Sequence, residues 1–211
     1  MSTAVLSTAY FPNIEYISKF LQYDRIIIEV NENYLKKTFR NRCNILSANG
    51  VITLSVPVIQ NKNSKTQIKN TQISYAENWQ KEHFTALESA YNNSPFFEFY
   101  IDDFKHFFTK KYENLLEYNS NILELVLQTI GIKKEIIFTN EFIEIQNNYS
   151  DFRFLISKKR NLNIQNNYVQ VFSDKYKFEP NLSILDVIFN LGPESILYLK
   201  SITNKWLTQL K

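Results

Sequence analysis

Ile14, Ile17, Phe20 and Leu21 follow the i, i+3, i+4, i+7 spacing of one helix face, and Asn13 before them can cap that helix. On one side stands a short β-leaning run, Thr3 to Leu6, closed by Tyr10-Phe11-Pro12. On the other stands Arg25-Ile26-Ile27-Ile28-Glu29-Val30, apolar without alternation, as in a strand covered on both faces. A strand, a helix and a strand in that order predict parallel pairing. Cys43 to Ser47 and Val51 to Val56 flank Asn49-Gly50, which predicts a β-hairpin ended by Pro57. The polar stretch Gln60 to Asn70 reads as an exposed mobile loop.

Helical periodicity returns over Glu77 to Asn92, over the aromatic-rich Phe96 to Leu116 and over Ser120 to Ile130, which Gly131 ends as a C-cap. Glu135 to Thr139 predicts a strand. Asp151 to Lys177 alternates short β-leaning pieces with Asn-rich turns. Asn181 can cap a helix from Leu182 to Asn190, Gly192-Pro193 breaks it, and a last helix starts near Glu194. The expected fold is a layered α/β domain over residues 1–211. It has a Rossmann-like start, a mixed sheet, a β-hairpin and a helical segment, and ligands in such sheets sit beyond the carboxyl ends of the strands.

Composition narrows the chemistry. With 44% hydrophobic residues, the chain can bury a core and is not disordered. Three glycines are too few for a glycine-rich phosphate loop, and a net charge of +3 is too mild for a general nucleic-acid binder. One cysteine and two histidines exclude a disulfide, a thiolate zinc site and a three-histidine site, so no cofactor or metal is expected. The Met1 segment has no basic leader, and no run of 18 uncharged apolar residues follows, which predicts a cytoplasmic protein.

Lys36, Lys37, Arg40 and Arg42 place four cations within seven residues after a predicted parallel strand. Arginine donates two parallel hydrogen bonds to a carboxylate or phosphate. The window is therefore either an anion site or a solvated basic loop. Cys43, beside those cations, is either a small buried hydrophobe or an acyl-accepting thiolate. His83 shares a helix face with Trp79, Leu87 and Tyr91, so its imidazole is either packed in the core or a general base bordering a cleft. Asp186, flanked by Ile184, Leu185, Val187 and Ile188, must be paired, hydrogen-bonded or protonated. It ties a loop or serves a site, with His83, Arg40 or Arg42 as natural partners. Phe96-Phe97-Glu98-Phe99-Tyr100 with Phe104, Phe107 and Phe108 reads as core or as an oligomer contact.

Four blocks resemble the WbqC-like family of bacterial proteins encoded among surface-polysaccharide genes. The first is Tyr10-Phe11-Pro12 with Tyr16. The second is Tyr34-Leu35-Lys36 and Phe39-Arg40-Asn41-Arg42-Cys43, followed by Asn49-Gly50 and Leu54-Ser55-Val56-Pro57. Trp79-Gln80, His83, Ala90-Tyr91 and Ser94-Pro95-Phe96-Phe97 make the third. Asn181 to Asp186, with Phe189-Asn190 and Gly192-Pro193, makes the last. Thr8-Ala9 stand where the family usually has Gln-Pro, and the segment before the last block is short, as in a compact subtype.

The resemblance implies transfer of an aminoacyl or similar acyl group, such as glycyl, onto a sugar precursor of bacterial surface polysaccharide (O-antigen). The substrate would be an anionic small molecule or a sugar-linked one. Lys36, Arg40 and Arg42 would then hold its phosphate or carboxylate, with Asn41 orienting it and Tyr10 lining the pocket. His83 would act as base, and Asp186 would position His83 or an arginine. The opening is also loosely similar to that of cytidylyltransferase-like folds, which gives a nucleotidyl-type transferase as the alternative, weakened by Glu15-Tyr16-Ile17 where their paired histidines stand. A non-catalytic binding or scaffold protein of the same pathway is the third reading.

Overall fold

A computed structural model describes residues 1–59, 66–144, 148–157 and 166–209, with side chains followed to residue 203. Thr3–Ser7 (β1), the helix Ile14–Gln22 (α1) and Arg25–Glu29 (β2) form the expected β-α-β unit, with β1 and β2 parallel from Thr3↔Arg25 to Ser7↔Glu29. The Asn13 Oδ1 accepts the Tyr16 N–H at 3.0 Å and caps α1 as expected. The hairpin pairs Arg42–Ser47 (β3) with Gly50–Ser55 (β4), and Gly50 at φ +95° supplies the left-handed turn.

The helices Trp79–Tyr91 (α2), Phe97–Lys105 (α3) and Leu115–Ile130 (α4) follow. Then come the strands Ile136–Phe138 (β5) and Tyr149–Asp151 (β6), and the helices Ile184–Leu191 (α5) and Ser195–Gln209 (α6).

The four-stranded sheet runs β5-β2-β1-β6, every pairing parallel, while β3 and β4 form a separate two-stranded sheet. The expected mixture of parallel and antiparallel pairing is thus divided between two sheets of one α/β fold. From β1 the chain moves to β2 and β5 on one side, and only later does β6 join β1 on the other. The β1–β6 seam is therefore where the direction of the sheet order reverses. All five residues of β1 are buried, as both-sided coverage requires.

Several boundaries differ from the sequence expectation. The aromatic helix stops at Lys105 and continues as a 3-10 turn, His106–Phe108. A new helix starts at Leu115, because the Asn114 Oδ1 accepts the N–H groups of Leu116 and Glu117. Ser183, not Asn181, caps α5. Asn181 sits at φ +57° and turns its Oδ1 to the Glu15 N–H. In the stretch read as an exposed loop, residues 60–65 lie outside the described residues, but Ile68 is fully buried in a 3-10 turn. Phe97, Phe104, Phe107 and Phe108 are buried around Phe11 and Phe189, which makes the aromatic run core and leaves Phe99 as its exposed member. Among the described residues no helix is long and apolar enough to cross a membrane.

Candidate functional site

The loop from Asn31 to Asn41 leaves the carboxyl end of β2 and is clamped from three directions near its end. The Tyr10 N–H donates to the Phe39 carbonyl, Asn119 on α4 donates to the Arg40 carbonyl, and the Val56 N–H donates to the Asn41 carbonyl. These bonds turn the Arg40 side chain inward over the end of β1. Its Nε and Nη2 donate to both oxygens of Glu32 at 2.8 and 2.6 Å, and Nη2 also reaches the Ser7 Oγ at 2.6 Å. Both ions are buried, so the fork geometry and the extra hydrogen bonds compensate the desolvation of the pair.

Arg153, two residues beyond β6, meets the same place from the other side of the seam. Its carbonyl accepts from Ser7 Oγ and from Arg40, and its guanidinium holds Asp151 at 2.9 Å and Glu29 at 3.5 Å. Glu29, buried at the end of β2, also accepts from Asn31, Thr139 and Ile143, which ties the β5 loop to the cluster.

A hollow of about 100 Å³ opens over this cluster, at the carboxyl ends of β1 and β6. Lys37, Arg40, Arg42 and Arg153 line it together with Phe39 and Phe154, and among the described residues no acidic side chain lines it. Behind the wall, three carboxylates, Glu29, Glu32 and Asp151, pair with the two guanidinium groups of Arg40 and Arg153. Lys37 and Arg42 have no ion-pair partner among the described residues, and the Arg42 Nε is shut from solvent without a hydrogen-bond partner. Lys37 is exposed and held at φ +60°, a conformation a lysine adopts rarely. The uncompensated positive charge of the hollow thus rests on these two residues, which suits a phosphate or carboxylate. A larger open groove, about 530 Å³, lies between the end of α4 and β5, but Glu124 stands with its two lysines and it follows the sheet edge instead of the strand ends.

The other expected site residues are placed elsewhere. Lys36 is exposed and does not line the hollow, the turn at Lys37 sending the neighbouring side chain there instead. Asn41 is buried and donates to the Val56 carbonyl at 2.7 Å, closing the hairpin. Cys43 is buried on β3, and burial pushes its thiol well above the ordinary range, so it stays protonated and inert.

Tyr10 is fully buried and bonds to the His83 Nδ1 at 2.8 Å, while the His83 Nε2 accepts the Ser55 N–H at 3.2 Å. Both imidazole nitrogens are occupied. Burial lowers the His83 pKa from 6.5 to about 4, which keeps the ring neutral. This ring pins α2 to the hairpin, and the geometry does not offer it as a base. Asp186 is buried in α5 with hydrogen bonds from Tyr168 and, at 2.9 Å, Gln170. Burial raises its carboxyl above the usual range against those bonds. Neither His83 nor Asp186 is among the described residues that line the hollow with Arg40 and Arg42: His83 is held by Tyr10 and Ser55, Asp186 by Tyr168 and Gln170, and Arg40 by Glu32 and Ser7.

Arg153 and Phe154 are the site residues that sequence reasoning missed, and within the basic window it singled out Lys36 where Lys37 lines the hollow. An acid-rich strand end, Glu29 followed by Glu32, was the legible signal that buried cations were needed there.

The family model described as the WbqC-like protein family matches residues 8–171, which include every residue lining the hollow. The chain belongs to the WbqC-like protein family. The match ends before the block from Asn181 to Pro193. This WbqC-like chain is also similar to the uncharacterized protein Rv1507c of Mycobacterium tuberculosis, 23% identical over 224 residues covering 93% of this chain and 96% of that protein. No solved structure matches the chain at a significant level.

Proposed function

We propose that this WbqC-like protein is a cytoplasmic group-transfer enzyme that grips an anionic, sugar-linked precursor of surface polysaccharide in the hollow over β1 and β6. It would pass an aminoacyl or similar acyl group, such as glycyl, to or from that precursor. The observation that carries this reading is the pairing pattern. Among the described residues, four cations line one hollow at the sheet's reversal point, and the two without carboxylate partners, Lys37 and Arg42, face it. Arg40 and Arg153, already held by Glu32, Asp151 and Glu29, form its rigid floor.

Isothermal titration with pyrophosphate and with a sugar phosphate tests the site. Arg42→Ala should weaken both by about tenfold or more, the worth of a charge-assisted hydrogen bond, and added salt should weaken the wild type similarly. Equal affinity of wild type and variant would remove the site.

A second reading, a non-catalytic binding protein of the same pathway, is favoured by one fact: among the described residues no histidine, cysteine or carboxylate lines the hollow. Incubating the pure protein with a glycyl donor and a sugar phosphate separates the two. A glycyl mass gain on the sugar, lost in Arg42→Ala, supports transfer, and binding without any mass gain supports the second reading.

A further inference from the structure

The mouth of the hollow carries something a bare anion does not need. Phe154 stands beside the cations with 60% of its surface exposed, and Leu35 with 38%. Large apolar side chains left in water at the rim of a charged hollow mark a ligand that brings an apolar face next to its charge. The Arg40 guanidinium lies 5.8 Å from the Phe154 ring centroid, and Glu32 and Ser7 fix that guanidinium in turn. The ring is therefore backed by a rigid group and offers the remainder of its surface to solvent, a preorganised platform.

We propose that the hollow takes a nucleoside diphosphate, its two phosphates on Lys37 and Arg42 and its base stacked on Phe154. This deepens the proposed function and rests on it. Two cations with no ion-pair partner among the described residues match a group with two phosphates, and a base has the flat apolar faces that a phenylalanine ring accepts. A hydrocarbon chain would need a continuous apolar groove, whereas the rest of the lining is charged or polar apart from Phe39 and Ile156.

Titrations of wild type, Phe154→Ala and Arg42→Ala with pyrophosphate, UDP, glucose 1-phosphate and geranyl diphosphate test this. UDP should bind roughly 5- to 100-fold tighter than pyrophosphate, the range base stacking confers. Phe154→Ala should abolish that advantage, lowering UDP affinity far more than pyrophosphate affinity, and Phe154 is exposed enough for the variant to fold. Arg42→Ala should weaken both. If UDP and pyrophosphate bind equally and Phe154→Ala changes neither, the base platform is refuted while the anion site stands. A gain for geranyl diphosphate or glucose 1-phosphate equal to that for UDP refutes it as well, assigning the ring to a lipid or a sugar. If no ligand binds and Arg42→Ala is silent, the anion site has failed and this inference with it.

Discussion

Tyr10 and His83 are joined by a hydrogen bond of 2.8 Å deep in the core, and the other nitrogen of the imidazole receives a backbone N–H from Ser55. Since Nε2 accepts, Nδ1 carries the proton and donates to the tyrosine hydroxyl, so a second proton on the ring would face the Ser55 N–H.

The pH dependence of stability follows from that clasp. An unfolded histidine titrates near 6.5 and this one near 4 when folded, so the unfolded chain binds the extra proton between those values. Stability is complete above pH 6.5 and declines as pH falls toward 4, by about 3 kcal/mol in all. Asp186, whose carboxyl burial raises, works in the opposite direction at the acid end. Urea denaturation at pH 7 and 4.5 should show the decline in wild type and a flatter profile in His83→Gln.

Arg40 and Arg42 differ in kind although two residues apart. Arg40→Ala leaves the buried Glu32 carboxylate uncompensated and should cost about 3–5 kcal/mol by urea denaturation. Arg42→Ala removes no ion pair and should stay within about 0.5 kcal/mol of wild type, its effect appearing in anion titrations instead.

Cys43 should be silent. Native protein should react with a thiol reagent only on unfolding, and Cys43→Ala should bind pyrophosphate like wild type, because the thiol is buried and does not line the hollow. Rapid labelling of the folded protein would contradict this.

Gly192 sits at φ +51°, and a Cβ there would lie 2.5–2.8 Å from the Phe96 ring. Gly192→Ala therefore combines backbone strain with a clash and should destabilise by about 1–3 kcal/mol or more, whereas Gly50→Ala, which meets no atom within 4 Å, should cost only the turn strain. Thermal unfolding of the two variants compares them.

The local sequence determined the elements whose causes are local. Asn13 caps α1 with its own side chain, Asn49-Gly50 turns the hairpin, Gly131 ends α4 in a left-handed conformation, and the unbroken run of isoleucines makes β2 a covered strand. It also located a basic window at a strand end, three members of which, Lys37, Arg40 and Arg42, line the hollow. Tertiary structure decided the rest. Only the pairing of β6 on the free side of β1 brings Arg153 and Phe154 to that window. Only the positive φ at Lys37 selects it over Lys36, and only burial beside Tyr10 and Ser55 makes His83 a neutral strut. Caps and turns are read from a few adjacent residues, whereas a charge's meaning depends on which distant groups desolvate or neutralise it, and that is settled when the sheet order and the core assemble.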